Sequence, residues 1–285
     1  MNPTPERRGL SPEAIRVIVR IVVFAAITLF GMLGFPALLR AIVGAAAPVF
    51  LIATLASFGA GCLANAVLSR MYEEGRLSSV GLSWSSRSLG EWVAGAMGGA
   101  GAAGLILAVA LSLGLASFQA VPDQAGSVSR WLFTAVLLLF GAFGEELIFH
   151  GYAFQLLART AGDFAALLPV SVLFGLAHMG NQNVTFLGVL NTVAWGLLLG
   201  YAYLRTRALW LSVGLHFGWN LAQPLIGVHL SGFTIGVTGY ELHWSADSIW
   251  SGGEYGLEGS VFTTAVVAML FFAVHRATRT NAGPE

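Results

Sequence analysis

Glu145 and Glu146 stand side by side with His150 four residues past the second, inside an otherwise apolar stretch. Phe174 with His178, and His216 with Asn220, repeat the spacing of four in two later apolar stretches. In a helix this spacing stacks two side chains on one face. Ionisable groups in the middle of a bilayer are costly unless they pair or face a wet cavity. Two carboxylates and two imidazoles on three hydrophobic segments therefore read as one buried polar site. A carboxylate in apolar surroundings serves as a general base, and an imidazole shares the proton or holds a water. A second imidazole and an amide donate to a developing oxyanion. Hydrolysis of a carbonyl compound by activated water fits these groups. Gly-x-Ser-x-Gly and His-Glu-x-x-His are both absent, which removes a serine elbow and a zincin helix. Glu145, His178 and His216 are still donors that zinc accepts, so the site is read either as metal-free or as holding Zn. Taken singly, each residue has a plainer use. Glu146 with His150 makes an intrahelical pair, Asn220 a helix–helix hydrogen bond, and Phe174 packing.

The segments that must position these groups are membrane spans. Of 285 residues, 56% are hydrophobic and 10% charged, and the mean hydropathy is +0.76. A soluble domain carries about a quarter charged residues. The expected fold is all-α: a polytopic membrane protein of about eight transmembrane helices with the polar site near the bilayer midplane. Stretches long enough to cross lie at about 17–39, 42–69, 92–117, 131–158, 164–180, 184–204, 208–228 and 259–275. At about 1.5 Å per residue, Glu145, His178, His216 and Asn220 fall at similar depths. The run from Ile21 reads as a retained anchor. Gly95/Gly99 and Gly196/Gly200 allow close helix crossings and read as packing.

Every basic residue is arginine. With the N-terminus inside, twelve arginines fall on the inner side, and only Arg40 and Arg130 outside. That bias places both termini in the cytoplasm. The outer loop 229–258 holds Glu241, Asp247, Glu254 and Glu258, while Tyr240, Trp244, Trp250 and Tyr255 suit a membrane interface. A net charge of zero gives no support to nucleic-acid binding, and the lone Cys62 forms no internal disulfide. The expected partners are the lipid bilayer and a peptide or protein substrate.

At these same residues the chain resembles a known family. Glu145-Glu146-x-x-x-His150, Phe174-x-x-x-His178 and His216-x-x-x-Asn220 look like the three motifs of the CPBP family of CAAX prenyl endopeptidases and bacteriocin-processing or immunity proteins. The likeness continues through Leu199–Thr206 and Leu209-Trp210 into Leu215-His216. It divides the chain into an N-terminal tail with three spans (1–128), a catalytic core (129–228), and an outer loop with the last span (229–285). The resemblance implies an intramembrane endopeptidase. In it Glu145 activates water with His178, His216 and Asn220 stabilise the oxyanion, and Glu146 organises the first motif. His150 stands where the family usually has arginine, a permanent cation that clamps a carboxylate. A non-proteolytic scaffold or immunity-type protein retaining the fold is the alternative implied by that departure. A bacterial cytoplasmic membrane is the expected location.

Overall fold

The computed structural model describes residues 11–279. Arg7 and Arg8, two of the twelve arginines assigned to the inner side, lie outside the described residues. Ten helices run through it: α1 (Pro12–Val43), α2 (Val49–Tyr72), α3 (Ser88–Ser112), α4 (Val128–Phe149), α5 (Tyr152–Ala161), α6 (Asp163–Ala177), α7 (Phe186–Thr206), α8 (Trp210–Leu225), the single turn α9 (Ser248–Ser251), and α10 (Val261–Arg279). Starts follow local chemistry. Ser11, Ser127 and Thr185 accept N–H groups of the first turns of α1, α4 and α7, satisfying donors that have no partner within the helix.

The all-α membrane fold is borne out. Among the described residues, seven segments are long and apolar enough to cross a membrane: α1, α2, α3, α4 with α5, α6 with its following turn, α7, and α10. The predicted span 208–228 is α8, only 16 residues long. It packs on α3, α4 and α7, and Ser212 through Trp219 are all buried. A helix sheathed by others needs no full apolar window against lipid.

Three readings are corrected. The predicted span 131–158 is not one continuous helix: α4 ends at His150 and α5 starts after Gly151. The outer segments are not merely loops. β1 (Ala116–Ala125) pairs antiparallel with β2 (Thr238–Trp244), with Phe118 opposite Leu242. The backbone between α3 and α4 and before α10 has no helix to satisfy it, and the two segments pair with each other instead. Finally, Tyr255, expected at an interface, and Glu258, expected in the outer loop, are buried inside the protein, whereas Tyr240 and Trp250 are exposed.

Glycines let helices meet at backbone distance at two crossings. A Cβ on Gly95 or Gly99 of α3 would lie 2.4 Å from the Leu211 carbonyl or 2.1 Å from that of Leu215 on α8. Gly214 and Gly218 return the contact against Trp92 and Ala96. Gly144 of α4 meets the backbone of Phe58 on α2 in the same way. Thus α8 and α4, which carry two of the three motifs, are held at backbone distance by α3 and α2. Gly196 meets Ser171 and Phe174, and Gly200 meets Leu167 and His150, so both predicted pairs are packing positions. Arg40, Arg70, Arg159 and Arg205 lie in the last turns of α1, α2, α5 and α7.

Candidate active site

The break between α4 and α5 turns the first motif. A helix end inside a membrane protein leaves backbone groups that something else must satisfy. Asn65 of α2 does so. Its amide donates to the carbonyls of Gly61 and Leu147, both at 2.8 Å, and its oxygen accepts from the Tyr152 N–H at 2.8 Å. Gln155 donates to the His150 carbonyl at 3.1 Å. Only glycine fits at position 151, where a Cβ would meet the Leu147 carbonyl at 2.2 Å and Asn65 Oδ1 at 2.4 Å.

With the chain so turned, Glu146 sits fully buried between two imidazoles. His150 Nδ1 donates to Glu146 Oε2 and His216 Nδ1 to Glu146 Oε1, each at 2.8 Å. Charge-assisted bonds of this length are the stronger kind. They assign the proton to Nδ1 of His216 and leave its Nε2 facing the other way, towards Glu145. His178 is set likewise. It follows α6 in a short turn, His178–Gly180, and its Nδ1 donates to the Phe174 carbonyl at 2.8 Å. Phe174, buried, has its ring 4.8 Å from that of His178 and 6.0 Å from that of His216. It packs against both imidazoles.

Glu145 is the meeting point. Its Oε2 lies 3.6 Å from His178 Nε2 and 3.7 Å from His216 Nε2. Both separations exceed a direct hydrogen bond and suit groups that share a small polar molecule between them. Glu145 Oε2 is itself buried without a hydrogen-bond partner. It forms the wall of a cavity of about 630 Å³ whose polar end is lined by Glu145, His178, His216, Asn220, Ser231 and Glu258. An apolar arm runs from there between Phe24 and Leu29 of α1, Phe50 of α2, Ile148 and Leu157 of α4 and α5, and Leu173 of α6.

All seven residues singled out by the motifs therefore come together. Glu145, Phe174, His178, His216 and Asn220 line the cavity, and Glu146 and His150 lie behind it. Two imidazoles and a carboxylate are donors that zinc accepts. Among the described residues, though, no three His, Cys, Asp or Glu side chains are grouped to hold a metal ion. Asn65, Gln155 and Glu258 were missed. Asn65 and Gln155 are lone amides in apolar helices, a signal that could have flagged them. Glu258 was named only among the acids of the outer loop.

Residues 127–222 match the family model of the Rce1-like type II CAAX prenyl endopeptidases. No curated protein and no solved structure matches the chain. The matched segment begins at the start of α4 and ends within α8, so it contains all three motifs and the helices that converge on Glu145. The resemblance carried by the motifs and the family match thus fall on the same residues, and the match over this third of the chain supports a CAAX-type endopeptidase kind of function.

Proposed function

We propose that the chain hydrolyses peptide bonds of membrane-associated substrates with a water activated by Glu145. The observation that carries this reading is the unpartnered Glu145 oxygen, facing Nε2 of both His178 and His216 at the polar end of the cavity. Glu145 takes one proton from water while His178 Nε2, its ring proton being on Nδ1, accepts the other O–H, and the water oxygen attacks the peptide carbonyl. His216, donating from Nε2 when its ring carries both protons, and the amide of Asn220 stabilise the oxyanion of the tetrahedral intermediate. Glu145 then returns the proton to the leaving nitrogen as the C–N bond breaks. Glu146 orients His216 as the buried carboxylate of a catalytic triad orients its histidine. The mechanism uses the chain's own side chains and no metal. Asn220, one turn beyond His216, suits oxyanion donation better than ligation.

The apolar arm receives the membrane-embedded part of the substrate. The arginine bias supports cytoplasmic termini in a bacterial cytoplasmic membrane. Reporter fusions after Val80 and Thr206 are expected to read as cytoplasmic and one at Ser245 as external; a cytoplasmic signal at Ser245 would reverse that topology. The central test is cleavage of a peptide library in proteoliposomes. Wild type is expected to cut a subset of peptides and Glu145→Gln to lose at least about 100-fold in rate. Near-normal turnover in Glu145→Gln would remove the mechanism. Stoichiometric zinc whose removal and return switch activity off and on would replace its metal-free form.

A further inference from the structure

Glu258 is a second buried carboxylate on the cavity, and the mechanism above makes no use of it. It lies outside the segment that carries the family match, in the turn Leu257–Gly259 before α10, and is only 5% exposed. Both of its oxygens are engaged. Oε1 accepts from Trp219 Nε1 at 3.3 Å, Gln223 Nε2 at 3.1 Å and Ser231 Oγ at 3.2 Å. Oε2 accepts the Ser231 N–H at 2.9 Å. The turn itself is fixed. The Asn191 amide of α7 donates to the carbonyls of Glu258 and Ser260, both at 2.8 Å, and Thr263 Oγ1 donates to the Leu257 carbonyl at 2.6 Å.

Two features show what this anchor restrains. Trp219 and Gln223 bracket Asn220 on α8, one residue before it and three after. In that same turn lies Pro224, which has no N–H to give to the carbonyl four residues back, that of Asn220. The helix is thus loosened at Asn220, and the bonds to Glu258 hold it from the side. The second feature is Ser231, a non-glycine residue at φ 48°, in a turn closed by paired bonds between Leu230 and Phe233. Leu230, Ser231 and Phe233 line the cavity. A left-handed backbone of this kind persists only where its surroundings impose it, and Glu258 grips both the N–H and the hydroxyl of Ser231. Apolar packing would often serve stability as well as a buried ion does, so a carboxylate kept here calls for a use in placement.

We propose that Glu258 is a positioning residue of the reaction, holding the Asn220 turn of α8 and the Ser231 turn over the cavity in register with Glu145. The proposal rests on the hydrolytic reading and acts through Asn220. Glu258→Gln keeps the size of the side chain but sets an amide NH2 against a cluster of donors. In proteoliposomes it is expected to lower kcat about tenfold or more with KM within about twofold, as a small misplacement does. Placed on Asn220→Ala, it is expected to add no more than about a twofold loss, because the residue it positions is gone. Trp219→Phe keeps the ring against Trp195, 4.9 Å away, and deletes one donor. It is expected to show a smaller kcat loss with the same non-additivity, and it decides the matter if Glu258→Gln does not fold. Losses that multiply with Asn220→Ala, a change confined to KM, or unchanged kcat in the folded variants would overturn the proposal. Retained turnover in Glu145→Gln is the separate result that removes the hydrolytic reading itself.

Discussion

Glu145 and Glu146 are neighbours in sequence, yet they face two different regions of the molecule. Glu146 looks into a closed centre where each of its oxygens meets an imidazole at 2.8 Å and no part of it is exposed. Glu145 looks into the cavity, its side chain 28% exposed, with one oxygen unpartnered and two imidazole nitrogens beyond hydrogen-bonding reach. A rotation of about 100° per residue along the helix is enough to separate them. A saturated carboxylate is a fixture, because moving its proton or its charge breaks bonds already made. An unsaturated one beside a cavity is free to take a proton. The two regions are joined by His216, which donates to the fixture through Nδ1 and presents Nε2 to the cavity.

The contrast predicts opposite responses to the same substitution. Glu145→Gln is expected to reduce hydrolysis by at least about 100-fold while leaving the thermal midpoint of the detergent-solubilised protein within a few degrees of wild type. Glu146→Gln is expected to act on both. Its NH2 would face an Nδ1–H donor, so His150 or His216 must change tautomer or lose its bond, and stability drops by about 1–3 kcal/mol together with activity. Measured side by side, rates and melting curves that fell equally in the two variants would erase the distinction between the regions.

Next in size is the change at His150, where the chain departs from the family's arginine. The structure gives that departure a geometry: His150 supplies Glu146 with one bond in a site sealed by Phe154 and Phe174. His150→Phe keeps a ring of similar size and removes the donor. It is expected to cost about 3 kcal/mol, the scale of breaking a buried pair. His150→Arg restores a cation for Glu146 and is expected to keep measurable turnover where His150→Phe does not. Equal stability of His150→Phe and wild type in a denaturation series would reduce His150 to packing.

The sequence revealed the site better than the frame around it. Spacing of four inside apolar stretches located Glu146, His150, His178, His216 and Asn220 because several polar groups in membrane spans are rare enough to be read as a set, and Phe174 came with the spacing of His178. Helix existence was legible for the same reason, since length and apolarity suffice. The break at His150–Gly151 was hidden, because hydropathy runs through it unchanged. What ends the helix is a glycine forced by a side chain 86 positions away in sequence, Asn65. The strand pair was hidden in a similar way: β1 and β2 are stabilised by each other across more than a hundred residues, and neither declares itself locally. Glu258 looked like an ordinary loop acid because its partners, Trp219, Gln223 and Ser231, come from a different part of the chain.

The smallest expected effect tests how tightly the closed centre is packed. Gly200 of α7 lies against it, and a Cβ there would stand 2.7 Å from Leu167 Cδ1 and 3.1 Å from His150 Nε2. The leucine is the far end of a flexible side chain and can turn aside. The imidazole cannot move freely, being held at Nδ1 by Glu146 and flanked by Phe154, its ring 5.2 Å away. Gly200→Ala is therefore expected to cost about 1–2 kcal/mol as modest overpacking, part of it offset by the better helix propensity of alanine. Its effect on turnover should be under about fivefold, because the strain reaches the cavity only through Glu146 and His216. Gly34, whose Cβ would meet nothing within 4 Å, supplies the control: Gly34→Ala should leave both readouts unchanged or slightly raise stability. A Gly200→Ala variant as stable and active as the control would mean that His150 has room to yield and that the closed centre is softer than its bonds imply.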